Sequence, residues 1–198
     1  LKKSSKILEI GFGNGAFMGY ASRQNHECDG VEVNNSLFNI ALENKFSVFN
    51  SIDEIKKNKK YDLIILFDVI EHIPEIEIKN FMIKLSTLLT KSGSIFLRFP
   101  NGSSPLGLAN QHGDITHCNI ITLPKLNYWC QDSSLNIFVA RASVLPFVFK
   151  HNYFKMPSKL LKLGLYKFTE RFVRLISSQS KGVLSSNLEV VLKKKNES

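Results

Sequence analysis

The stretch from Ile7 to Phe17, ILEIGFGNGAF, constrains the fold more than any other part of the chain. An apolar run turns acidic at Glu9 and then breaks into glycines at three alternate positions. Ile7, Leu8 and Ile10 suit a buried strand, while Gly11, Gly13 and Gly15 let the backbone turn tightly and approach a ligand without Cβ interference. The next residues, 16–24, contain no proline and suit a helix whose N-terminal amides point back at that ligand. Strand, loop and helix in this order open a βαβ unit. Gly11-Phe12-Gly13-Asn14-Gly15-Ala16 also fits the dinucleotide pattern G-x-G-x-x-G/A, so the loop by itself leaves its ligand open, as does a glycine-rich turn that holds nothing.

Glu9 discriminates between these. A carboxylate just before the loop sits badly beside a pyrophosphate, but it suits a cofactor carrying an ammonium and a sulfonium, such as S-adenosylmethionine. Residues 28–33, CDGVEV, read as a second buried strand with Glu32 at its carboxyl end. That is about 20 residues past the first glycine, the spacing of a ribose-binding carboxylate. Taken singly, Glu32 reads equally as a surface charge at a strand end. The third segment is YDLIILFD, 61–68, followed by Val69-Ile70-Glu71-His72-Ile73-Pro74-Glu75. Its unbroken apolar run from Leu63 to Phe67 is that of a strand buried on both faces, a central strand of a parallel sheet.

With these segments in order, the chain resembles the class I S-adenosylmethionine-dependent methyltransferases. The likeness rests on the E-x-G-x-G-x-G loop, the acidic end of the second strand and the YDLI…DVIEHIPE segment, and it spans residues 1–142. It implies a Rossmann-like α/β fold, a doubly wound, mostly parallel seven-stranded sheet with an antiparallel last strand. It also implies S-adenosylmethionine as cofactor, with Glu9, Gly11, Gly13 and Gly15 around the methionine moiety and Glu32 on the ribose. Asn50 and Ser51 would then lie at the adenine edge, and Asp68 with Val69 would line the site from the fourth strand. By the same likeness Glu71 and His72 shape the start of the next helix rather than the chemistry. The N/D-P-P-Y/F signature of nucleic-acid and amide N-methyltransferases is replaced here by Phe67-Asp68-Val69-Ile70. No nucleic-acid acceptor is therefore expected, despite a sequence pI near 9.5.

Composition agrees with a single methyltransferase domain over 1–198: a cofactor core and acceptor loop in 1–142, a basic helical insertion in 143–182 and a last strand in 183–193. The 198 residues, 43% of them hydrophobic, are enough for one core. Three cysteines, Cys28, Cys118 and Cys130, lack metal or redox spacing and fit a cytoplasmic setting. No apolar run reaches the roughly 20 residues of a membrane span. The chain starts at Leu1, directly at the first strand, the pattern of a fragment that lacks an N-terminal helix over the cofactor. Strands are expected near 6–10, 28–33, 46–49, 61–67, 93–99, 135–141 and 184–193. Helices are expected near 14–24, 35–44, 52–58, 75–90 and 124–131, the fourth closed by Lys91-Ser92-Gly93.

Ligands of open α/β sheets bind beyond the carboxyl ends of the strands, so residues 100–124, long and rich in Gly, Asn and Ser, form the expected acceptor loop. Within it, His112-Gly113-Asp114-Ile115-Thr116-His117 gathers groups that handle protons. Methyl transfer from a sulfonium is an in-line displacement, helped by positioning and by removal of a proton from a hydroxyl acceptor. A histidine held by a carboxylate suits that task, which makes His117 the expected base and Asp114 its orienting or substrate-binding partner. Two other readings stay open: a structural turn capped by Asp114, and a metal bound by His112, Asp114 and His117, although no metal is expected. The PNGSSP and GDITH stretches resemble the methyltransferases associated with bacterial surface polysaccharide synthesis. That likeness implies a sugar or glycan hydroxyl as acceptor, with another small metabolite such as a quinol precursor, or a non-catalytic cofactor-binding scaffold, as alternatives.

Charge is uneven. Residues 1–149 carry 15 Lys+Arg against 14 Asp+Glu, and 150–198 carry 11 against 3. In the latter, Leu161, Leu165, Phe168, Phe172, Leu175 and Ile176 fall at helical spacing among Lys155, Lys159, Lys162, Lys167, Arg171 and Arg174. An insertion helix packed on the sheet or on a second subunit and a basic helix over 150–176 touching an anionic membrane both fit this pattern.

Overall fold

A computed structural model describes residues 4–143, 171 and 185–195. Strand β1, Lys6–Ile10, is followed by α1, Ala16–Arg23, β2, Glu27–Val31, α2, Asn35–Glu43, and β3, Ser47–Phe49. Then come β4, Tyr61–Phe67, α3, Glu75–Leu88, β5, Leu89–Pro100, and the short helices α4, Leu108–His112, and α5, Leu123–Trp129. β6, Leu135–Ala142, and β7, Asn187–Lys194, complete the sheet.

The seven strands lie in the order β3-β2-β1-β4-β5-β7-β6. β1 pairs in parallel with β2 and β4, β2 with β3, and β4 with β5, whereas β7 runs antiparallel to both β5 and β6. This is the doubly wound α/β sheet with a reversed last strand that the sequence implies. Chain direction changes sides at the β1–β4 junction, because β2 and β3 extend one way from β1 and β4 and β5 the other. Such a junction leaves a crevice at the carboxyl ends of the strands.

The pleat of β1 sorts its residues. Leu8 and Ile10 join the main core with Ile64 and Leu66 of β4, Ile95 and Leu97 of β5, Ile78, Met82 and Leu85 of α3, and Leu126 and Trp129 of α5. Ile7 packs on the other face with Ile65 of β4 and Ala21 of α1. Both faces are therefore covered, which is why β4 reads as an unbroken apolar run. Beside that second layer Phe12, Met18 and Ala41 make a smaller cluster joining the loop, α1 and α2.

Boundaries differ from the sequence reading where local chemistry overrides periodicity. α3 stops at Leu88, and Leu89 is already extended as its C-cap, so Lys91-Ser92-Gly93 lies inside β5 instead of closing the helix. The expected helix 52–58 is a single 3-10 turn, Ile52–Glu54, in which the Asp53 amide is capped by the Ser51 hydroxyl. The helix α4 falls inside the stretch read as loop. The basic insertion 143–182, including the stretch 150–176, lies outside the described residues apart from Ser143 and Arg171. Among the described residues no helix is long and apolar enough to cross a membrane.

Gly30 of β2 shows how closely the loop is packed on the sheet: a Cβ there would lie 2.4 Å from Phe12 Cδ1 and 2.6 Å from Met18 Sδ. Both neighbours are buried. Gly30→Ala should therefore destabilise by about 1–3 kcal/mol through overpacking, measured by denaturant unfolding. An unchanged midpoint would contradict this packing.

Candidate active site

Gly11, Gly13 and Gly15 all have left-handed backbones, with φ of 68°, 55° and 71°. A Cβ on Gly11 would come within 2.6 Å of Val69 Cγ2, so the loop after β1 and the turn after β4 touch at this glycine. At Gly13 and Gly15 a Cβ would meet nothing within 4 Å. The loop is thus pinned at its first glycine and open at the next two. The Gly11 amide donates to the Val31 carbonyl at 2.8 Å, tying the loop to the end of β2.

Two carboxylates flank this loop, and their environments differ. Glu9 points to the α1 side and is buried at 4% exposure, with Oε2 lacking any hydrogen-bond partner among the described residues. Burial pushes its carboxyl up to about 7, partly offset by a backbone hydrogen bond from Met18. Glu32 lies just beyond β2 and is also buried, but both oxygens are used: Oε2 accepts from the Gly13 amide at 3.0 Å and Oε1 from the Asn34 amide at 2.9 Å. These bonds fix the carboxylate against the loop while leaving further lone pairs able to accept.

The other expected cofactor contacts fall around the same end of the sheet. Asn50 and Ser51 follow β3, where the Glu32 amide donates to the Phe49 carbonyl at 3.1 Å. The Asn50 amide donates to Glu54, and the Ser51 hydroxyl accepts from Asp53. Asp68 has a left-handed φ of 54° at the end of β4, and its carboxylate is held by both nitrogens of an Arg98 fork. The Asp68 carboxylate is thus already paired within the protein.

The acceptor loop folds back over the turn after β4. Cys118 and Asn119 donate their amides to the Glu71 carbonyl at 3.0 and 3.2 Å. This brings His117 against His72, with ring centroids 4.6 Å apart and the rings edge to face. His117 Nδ1 faces the Gln111 carbonyl at 3.0 Å, so Nδ1 carries the proton and Nε2 the lone pair. The Thr116 hydroxyl donates to Asp114 Oδ1 at 2.6 Å, which obliges His72 Nδ1 to donate to Thr116 Oγ1 across 2.9 Å. His72 is thereby fixed in the same tautomer. The hydrogen bonds from Thr116 also hold the Asp114 carboxyl below its usual range. Asp114 Oδ2 lies 3.9 Å from His117 Nε2. Of the residues weighed as metal ligands, only His117 joins a convergent donor group, which is instead Glu71, His72 and His117.

A family model described as a methyltransferase domain matches residues 1–138. The chain belongs to the methyltransferase domain family. This methyltransferase domain is 27% identical over 107 residues to (S)-tetrahydroprotoberberine N-methyltransferase of Eschscholzia californica, covering 49% of the chain and 30% of that relative. It thus spans under a third of that relative's length. Among solved structures, it is similar to a SAM dependent methyltransferase from Archaeoglobus fulgidus, with TM-score 0.71 and 18% identity over 98% of this chain and 87% of the other. It is also similar to coclaurine N-methyltransferase bound to N-methylheliamine and SAH, with TM-score 0.56 and 16% identity over 72% and 47% of the two chains. At these identities the likeness to solved structures is one of fold.

The buried state of Glu9 has a consequence for stability. Its carboxyl lies near 4.5 when unfolded and about 7 when folded, so the native state holds the extra proton between these values. Its ionisation therefore costs stability progressively from pH 4.5 to about 7, and the loss levels off above that. Glu9→Gln should be the more stable protein at pH 8, by about 1–3 kcal/mol, with the difference vanishing near pH 4. Denaturant melts at both pH values would show this, and a gap independent of pH would contradict it.

Proposed function

We propose that this domain is an S-adenosylmethionine-dependent O-methyltransferase whose acceptor is a hydroxyl of a small molecule of the sugar or glycan type. The observation that carries the choice of donor is Glu9 Oε2, a buried carboxylate oxygen without a partner beside a glycine loop that is open above Gly13 and Gly15. An ammonium group is the natural partner for such an oxygen, and it would restore the ionised carboxylate that burial disfavours. Glu32 fits the ribose, as its two amide contacts aim it at the loop. Glu9, Gly11, Gly13, Gly15, Glu32, Asn50, Ser51, Asp68 and Val69 form the cofactor side of the site in this reading.

When bound, S-adenosylmethionine supplies an electrophilic methyl group on a sulfonium. The remaining work falls to the chain: to orient a hydroxyl in line with that carbon and to help it lose its proton. His117 serves the second task, because its Nδ1 is engaged by Gln111 and its Nε2 lone pair is available. Asp114 stands beside it and steers His72 through Thr116. Support for a sugar-type acceptor comes from the PNGSSP and GDITH stretches of the loop. The relatives named as N-methyltransferases favour a second reading, transfer to a small amine.

Methyl-labelled S-adenosylmethionine offered with matched panels of nucleotide sugars, simple glycosides and cyclic amines separates the two. Label should enter a hydroxylated sugar, and His117→Ala should lower that turnover by about 10²–10⁴ with donor affinity intact. Label entering only amines would overturn the hydroxyl assignment.

A further inference from the structure

Glu71 is the most deeply buried acid of the described residues, with no exposed surface, and neither of its carboxylate oxygens has a hydrogen-bond partner among them. Its backbone is well used, since the carbonyl accepts from Cys118 and Asn119, so the orphaned atoms belong to the side chain alone. A fully buried carboxylate is costly to ionise, and among the described residues only its own backbone amide and the more distant Arg98 charge help this one. The same carboxylate lies in a group with His72 and His117 whose ligating atoms are all within 4.8 Å of one another.

The imidazoles are prepared in the manner of metal ligands. His117 Nδ1 donates to a main-chain carbonyl and His72 Nδ1 to a hydroxyl that is itself bound to a carboxylate. Both arrangements fix the tautomer that leaves Nε2 free to ligate. We propose that Glu71, His72 and His117 form a binding site for a single divalent transition-metal ion, brought together by the return of the acceptor loop over the turn after β4.

Two imidazoles and one carboxylate favour an ion of the manganese-to-zinc series over magnesium or calcium, which prefer all-oxygen sites. Ligands about 2.1 Å from such an ion sit about 3.4 Å apart in a tetrahedron, so closure from 4.8 Å asks for roughly an ångström of side-chain rotation. Three protein ligands leave at least one position open. The site deepens the hydroxyl-acceptor reading on which it rests for its chemical meaning. A hydroxyl in the open position becomes more acidic, and its proton passes to solvent past the half-exposed Asp114. With the ion bound, His117 acts on the acceptor as a ligand of the metal.

Binding of Co²⁺ by the full chain tests the site without any acceptor. Titration should show one equivalent with the visible bands of nitrogen and oxygen ligation and a raised Tm. Glu71→Gln and His117→Gln should each weaken Co²⁺ at least 10-fold. Glu71→Gln replaces the orphaned carboxylate by a neutral amide of the same shape, and its Co²⁺-free melting curve reports whether it folds. His112→Asn, an exposed change outside the group, should bind Co²⁺ as the parent does. No binding, thiolate charge-transfer bands from Cys118, or equal binding by both ligand variants would overturn the proposal. Co²⁺ binding without methylation of any hydroxyl would retain the ion site and remove the acceptor assignment instead.

Discussion

Gly11 and Val69 stand so close that no Cβ fits between them, and the geometry of the whole site depends on that contact. It locks the loop after β1 to the turn after β4, the two central parallel strands, at the point where the sheet changes direction. The loop is also held from the other side by the Val31 carbonyl at the end of β2. Three strand ends thus converge, and the acidic residues they carry are set by the pleat rather than by their neighbours in sequence. Glu9 emerges on the α1 face because Leu8 and Ile10 are claimed by the main core.

Among the described residues two buried carboxylates at the site have unpaired oxygens, Glu9 at Oε2 and Glu71 at both. Both are pushed up to about 7, chiefly by burial. Asp29, buried at a comparable level, is by contrast satisfied by Tyr61 at 2.7 Å and by Lys59. The chain partners a buried acid where the role is structural, and in the proposed reading the unpaired oxygens of Glu9 and Glu71 are kept for ligands. Glu9 faces the loop suited to a cationic cofactor, and Glu71 faces the histidines of the acceptor loop.

Much of this was legible in the residues. The apolar runs ending in Glu9 and Asp68 reveal parallel strands, and glycines with left-handed backbones account for G-x-G-x-G directly. Spacing from Gly11 singles out Glu32, and the structure turns its carboxylate to the Gly13 amide. The acceptor side was harder, because what matters there is contact between residues about 45 apart in the chain, Glu71 and His72 with Thr116 and His117. His117 stands out in the sequence for its neighbours there, yet its principal partners are the Gln111 carbonyl and the His72 ring. One signal did point to Glu71: an acid between Ile70 and Ile73, in a stretch otherwise headed for the core. The carboxylate of Asp68 could not be assigned from sequence either, since its Arg98 partner sits on the adjacent strand, in a register that only sheet pairing fixes.

In the proposed reading the glycine loop with Glu9 and Glu32 takes the adenosyl and amino-acid parts of S-adenosylmethionine rather than a dinucleotide. Calorimetric titration with S-adenosylhomocysteine, run in parallel with NAD, addresses it most directly. Saturable binding of S-adenosylhomocysteine alone is expected, with proton release near pH 6 as the buried Glu9 carboxyl ionises against the ligand's ammonium. Binding of NAD in preference, or S-adenosylhomocysteine binding that Glu9→Gln leaves unaltered in affinity and in proton release, would contradict it.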